Sequence, residues 1–357
     1  MRRASTLLAL SCALLISQTS LAKIWRVNNN PGVNADFTSL QAAHDGASAG
    51  DTLHIEGSPN TYGSCTLNKK LTLLGAGYYL EENLNLQALQ QSSKVGGLNF
   101  QMGSQGSLVM GLDFQANTVS IFTDDIIIRR NKFQSPYGTT QDYYVGQIQI
   151  YYHSNNSAIP ANNIIISQNF GLKVGINYPS TGILVTNNLL EVEAYHGDNT
   201  AQVCLGAHAS AILLVQNNVM RRGRVTANNS NFTNNIMFNG SFDGVGNLYS
   251  NNIASGTQFG NANGNQQNVV MTNVFVGEGT GITIEGAWKL KAGSPAIGAG
   301  YGSTGGNPID CGMFSGQNPY ILAGIPPMPA VYSFEVQPIG SNTDPIDVKV
   351  KVKSVGN

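Results

Sequence analysis

The chain has 357 residues, with 19 basic against 20 acidic side chains, 41 glycines and a charged fraction of only 11%. So even a balance excludes the clustered basic face that phosphate contacts demand, so no nucleic-acid partner is expected. So few charges, with abundant Gly and Asn, fit a secreted β-solenoid better than a helical enzyme.

Residues 1–22 read as a secretory signal peptide: Arg2 and Arg3 precede an apolar stretch from Leu7 to Ile16, and Ser20-Leu21-Ala22 forms a small-residue cleavage site. Cys12 raises a lipoprotein alternative, but Ala9 stands where leucine is expected and the apolar run continues past the cysteine. Removing Arg2 and Arg3 leaves 17 basic against 20 acidic residues, a net charge of −3. The expected location is therefore extracellular, periplasmic or cell-surface. No later stretch has the ~18 consecutive apolar residues of a membrane span. Cys65, Cys204 and Cys311 are odd in number and too far apart for a zinc motif or a disulfide framework. They read as small buried residues, with the pairing of any two left open.

The mature chain opens with Asp36–Asp45, a short amphipathic helix in which Thr38 and Gln41 form a capping box and Leu40, Ala43 and Ala47 share one face. A solenoid needs such a cover, because an open sheet end recruits other chains. His44 reads as a rim histidine of this cap, since no nucleophile or metal-spaced partner accompanies it. Gly50–Gly57, Tyr62 and Lys70–Gly77 supply the first strands and turns. Gly97-Leu-Asn-Phe100 and Gly111-Leu-Asp-Phe114 continue the coils.

From Ile126 to Val276 one phrase recurs, apolar-polar-polar-Asn-apolar, with its asparagines at Asn131, Asn169, Asn188, Asn218, Asn235, Asn252 and Asn273. The steps are 38, 19, 30, 17, 17 and 21 residues, where 38 reads as two steps hiding an eighth coil and 30 as one step plus a loop. Repeats of this length signal a solenoid. The residues three before each asparagine, Val185, Val215 and Phe232 among them, and those just after it should pile into one continuous core. Only Lys132 interrupts the second column. Asparagine suits the corner, since it tolerates left-handed backbone angles and its amide can bond the amide of the next coil.

These repeats, and most specifically the helix, strand and Tyr62 turn at the start, resemble the right-handed parallel β-helix proteins of the pectate-lyase-like superfamily. Trp288–Gly300 and Ile309–Phe314 resemble the last coil of bacterial β-helix chains such as the chondroitinase B-like and alginate lyase-like ones. The expected fold is all-β: a right-handed parallel β-helix of about ten to twelve coils over 23–324, estimated from ~20-residue repeats, with an N-terminal capping helix. Residues 325–357 follow as a Pro-rich linker and short C-terminal β tail, in which Val331–Val336 and Ile346–Val352 alternate as strands and Lys349, Lys351 and Lys353 share a polar face.

Solenoids place function in insertions between coils, and two stand out. The first, Gln134–Asn163, presents Tyr143, Tyr144, Tyr151 and Tyr152, which either offer platforms to sugar rings or stack on one another. The second, Leu189–Gly206, holds Glu191, Glu193, His196 and Asp198. Glu191 and Glu193 are two apart on a predicted strand and so share a face, where paired carboxylates can bind Ca2+ or act as acid and base on a glycosidic bond. The resemblance implies a lyase in which a basic residue removes a proton beside a calcium-bound carboxylate, with Arg222, Arg221 or Arg224 as that base. The plainer account aligns Glu191 with Arg221 of the next coil as a cross-coil ion pair. Asp124, Asp125, Arg129 and Arg130 read as a solvated charge group. Two functions are thus expected: a non-catalytic surface or glycan-binding protein, which no catalytic motif contradicts, or a polysaccharide lyase or glycoside hydrolase acting on uronic acid-containing glycans. No further metal site is assignable, and a monomer is expected.

Overall fold

The computed structural model describes residues 22–136, 143–193, 201–340, 343 and 345–354, so the leader lies outside the described residues. What it shows is an all-β, solenoid-like fold of long parallel sheets. Sheet A stacks ten parallel strands, from Ile24–Val27 to Leu248–Ser250, one from each coil. Its inward column runs Leu53, Leu73, Val109, Ile128, Ile166, Val185, Val215, Phe232, each in register with the next. All eight are fully buried, as stacking of equivalent apolar side chains requires.

Two further faces close the coil. Sheet C holds Leu189–Glu191, Val219–Arg221, Ile236–Phe238 and Ile253–Ala254, and sheet B holds strands such as Thr118–Ile121 and Gln147–Ile150. The long strand Phe170–Ile176 turns the corner between them and pairs with both. Ile128 pairs directly with Ile166, so the 38-residue step is one coil with an insertion, not two. Tyr143–Val145 and Gln134–Pro136 make an antiparallel hairpin inside that insertion.

At the A-to-C corner the asparagines form an amide ladder. Each rung's Nδ2 donates to the Oδ1 of the next coil: Asn131 to Asn169 at 3.1 Å, Asn169 to Asn188 at 3.0 Å, Asn188 to Asn218 at 3.0 Å, Asn218 to Asn235 at 3.0 Å and Asn235 to Asn252 at 2.9 Å. The left-handed angle falls one residue earlier than expected, on Arg130, Gln168, Asn187, Asn217, Asn234 and Asn251. That residue turns the chain, which aims the following amide along the axis. The last rung is Asn265, to which Asn252 donates at 3.0 Å. Asn273 instead ends a 3-10 turn beside an exposed Val270, so the seventh phrase is not a coil.

The residues after the rungs correct a second expectation. Phe170, Leu189, Val219, Ile236 and Ile253 do not join the tube's interior but face outward into a separate core with Tyr78, Met271, Phe275, Trp288, Met313 and Tyr320. The inward column of sheet C is Leu172, Leu190, Met220, Met237 and Ala254. The outer core is covered by residues 271–325, which are not a last coil. After residue 299 this segment runs back along the ridge of left-handed residues as a strap. Asn251 donates to Ala299 O (2.8 Å), Asn187 to Met313 O (2.9 Å) and Arg130 to Ile325 O (3.0 Å). Arg130 is thereby buried and Arg129 bonds Ser167, so neither belongs to a solvated charge group with Asp124 and Asp125.

At the start, helix α1 spans Leu40–Gly46 and is capped by Ser39, whose hydroxyl accepts from Ala42 N at 3.3 Å. No Thr38–Gln41 capping box forms, because Gln41 accepts from Thr66 N and donates to Asp45 instead. His44 is buried against Asp45 and accepts from Asn68 N. The chain ends in an antiparallel ribbon, Pro329–Val336 with Val348–Ser354, that touches the first coils where Ala88 N donates to Val331 O at 2.7 Å. Cys65, Cys204 and Cys311 are all buried and free, so the open pairing does not occur. Among the described residues no helix is long and apolar enough to cross a membrane.

Candidate functional site: a groove between sheet C and the wall at 271–288

The second outward column of sheet C runs Glu191, Arg221, Phe238 in register. Residues 271–288 rise beside it and leave a groove of about 1020 Å³, floored by Gln134, Phe170, Arg221, Arg222 and Phe238 and walled by Phe275, Ile282 and Trp288. The wall exists because Phe275 and Trp288 pack edge to face at 5.2 Å over the outer core. That packing presents the Trp288 ring to the floor, where the Arg221 guanidinium lies 5.0 Å from its centroid. Arg221 keeps 28% of its side-chain surface exposed, against 10% for Arg222.

Glu191 is wholly buried beneath them. Its Oε2 lies 3.7 Å from Arg222 and 4.0 Å from Arg221, and its Oε1 accepts from Gln134 Nε2. Gln134 reaches Glu191 by lying across Gly171, where an added Cβ would sit 2.2 Å from Gln134 Cγ. Glycine is required there both for that approach and for its φ of +66°. Tyr79 completes the chain, donating to Gln134 Oε1 at 2.8 Å. Burial and the nearby carboxylates, Glu285 foremost, push the Tyr79 hydroxyl well above the ordinary tyrosine range. At the same end Lys132 pairs with buried Asp113 at 2.9 Å and sits 4.7 Å over the Tyr79 ring. The one polar interruption of the apolar column is therefore a neutralised ion pair on the groove floor.

Of the residues that the sequence grouped, the structure describes Glu191, Glu193 and Arg222. The strand ends at Glu191, which lies against Arg222 and Arg221, and past the strand end Glu193 pairs with Lys173 at 2.5 Å. His196 and Asp198 lie outside the described residues. Arg222 is in the groove, and Glu191 does meet Arg221 across coils at 4.0 Å, but as a fully buried carboxylate and not on the solvated face that the plainer account expected. Among the described residues no three His, Cys, Asp or Glu side chains converge to hold a metal.

Of the tyrosines, Tyr151 stacks on Phe122 at 4.8 Å and 7°, and Tyr152 meets Phe122 and Tyr178 edge-on, so these rings largely occupy one another. Tyr144 is 40% exposed and pairs with the groove residue Ser135, while for Tyr143 only the strand position opposite Pro136 is described. Sequence reasoning missed Tyr79, Gln134 and Trp288. Only Trp288, one of two tryptophans in the chain, carried a signal, and it was absorbed into a supposed final coil. Comparison with protein-family models, curated proteins and solved structures returns no match.

Proposed function

We propose that the chain is a secreted, right-handed parallel β-helix protein of the pectate-lyase-like kind, closed at its first coil by α1, that binds an acidic glycan without cleaving it. The observation that carries this reading is the groove's pairing of a tryptophan face with two arginines. Trp288 is buried and its ring backs the Arg221 guanidinium, so the ligand-facing group is that partly exposed guanidinium, whose fork suits a uronate carboxylate. Non-catalytic binding is favoured because the two carboxylates singled out in the sequence are committed, Glu191 fully buried on Gln134 and the arginines and Glu193 on Lys173, which leaves the exposed Glu278 as the acid on the groove lining. An acid, base or calcium ligand must reach the substrate.

The rival reading, a polysaccharide lyase or glycoside hydrolase, draws on Arg222 within 3.7 Å of Glu191 in the same groove. One experiment addresses both. The purified mature protein is titrated with polygalacturonate, alginate and a neutral glucan, following the heat of binding by calorimetry together with the absorbance of unsaturated uronate. Binding to acidic chains alone, lost in Trp288→Ala and Arg221→Ala with no absorbance change, is expected. Equal binding to neutral glucan or no binding at all overturns the proposal, and an unsaturated product transfers it to the lyase.

A further inference from the structure

The groove wall carries a carboxylate that neither the sheet nor the glycan reading uses. Glu285 caps the 3-10 turn Gly286–Trp288 at its start, fully buried, and among the described residues it has no ion-pair partner. It joins three separate pieces of chain. From the first coils Asn83 Nδ2 donates to Oε2 at 2.8 Å. From the returning strap Ala323 N donates to the carboxylate at 2.9 and 3.1 Å, and Tyr320 OH donates to Oε1. Tyr320 is bonded in turn to Tyr78 OH at 2.8 Å. Beside it, Ile284 N donates to Glu82 at 2.9 Å, so the wall is fastened to residues 78–83 through two acids.

We propose that Glu285 is a proton-controlled latch on this wall: protonated, it clamps 283–288 to the first coils and the strap, and ionised, it loosens that clamp and opens the groove. The proposal rests on the groove being the ligand site. In the protonated form Tyr320 accepts the carboxyl proton and donates to Tyr78, whose hydroxyl then has no acceptor among the described residues, so this form forfeits one buried hydrogen bond where the ionised form buries a charge. The ionised form buries a charge with neutral donors only, which is costly. The titratable and charged groups around it bring no compensating cation. Glu82 adds like charge, Tyr78, Tyr79 and Tyr320 are neutral, Asp113 and Glu191 bear on the neighbouring tyrosines and bring no cation, and Arg130 is spent on Gln168 and Ile325. Burial accordingly raises Glu285 to about 7 despite its three donors.

The test is peptide-resolved hydrogen exchange of 271–291 in the full mature protein with no glycan present, between about pH 5 and about pH 8.5, corrected for intrinsic exchange. Linkage between the ordinary value of 4.5 and about 7 predicts a roughly 10- to 100-fold rise in opening as pH increases, while sheet A peptides stay flat. In Glu285→Gln the step vanishes. Acrylamide quenching of Trp288 in a Trp25→Phe background should show the same midpoint. A flat wild-type profile, the same step in Glu285→Gln, or parallel loss in sheet A overturns the latch. Because no glycan is present, failure of glycan binding leaves this readout intact, and a flat profile leaves glycan binding untouched.

Discussion

Replacing the central rung Asn218 tests whether the amide ladder holds the coils together. Its Oδ1 accepts from Asn188 N and Asn188 Nδ2, each at 3.0 Å, while its Nδ2 donates to Val185 O at 2.8 Å, Gln216 O at 2.9 Å and Asn235 Oδ1 at 3.0 Å. Asn218→Ala leaves the buried Asn188 N–H without its acceptor, at about 1–3 kcal/mol, and forfeits further bonds worth about 1 kcal/mol each. Gln216 O and Asn235 Oδ1 keep other donors, Asn187 N and Asn218 N, which limits the total to about 3–5 kcal/mol. Asn218→Asp should cost at least as much, because a carboxylate cannot donate to Val185 O or Asn235. Gln216→Ala, two residues earlier on the outward face, should stay within about 0.5 kcal/mol. Urea unfolding by circular dichroism, with hydrogen exchange at Asn188 to catch local loss of coils, measures this. A loss below about 1 kcal/mol for Asn218→Ala would mean the amides decorate a tube held by its apolar column alone.

Lys132→Ala should destabilise by about 3–5 kcal/mol by stranding buried Asp113, and Lys132→Met with Asp113→Asn by clearly less, as a denaturant-based double-mutant cycle would show. Glu285 has a folded value raised to about 7 from 4.5. Its stabilising contribution is thus complete below about pH 4.5 and lost as pH rises through 7, so above that pH Glu285→Gln should be the more stable protein by up to about 3 kcal/mol. Thermal melts that show no crossover with pH would contradict this. Burial pushes the thiols of Cys65, Cys204 and Cys311 up to about 12. Native protein should therefore resist a thiol reagent at mildly alkaline pH at Cys65, Cys204 and Cys311 and label all three once unfolded.

Sequence alone determined the solenoid, because a repeat acts through nearest neighbours. When each coil contacts only the next, Val185, Val215 and Phe232 must stack whatever happens elsewhere, and an asparagine at the same place in each coil must meet its counterpart. The ribbon at the end was legible for a similar local reason, the alternation of valine and lysine. What only the tertiary structure decided is everything that runs across that period. The strap's return over Phe170, Leu189 and Val219 turned a supposed interior column into a second core, and an insertion of ordinary length posed as an extra coil. The groove itself brings Tyr79, Gln134, Arg221 and Trp288 together from more than 200 residues of chain. No spacing encodes such a meeting, because it depends on where the last segment lies down once the tube has formed, and that is set by the outward apolar surface of the finished coils.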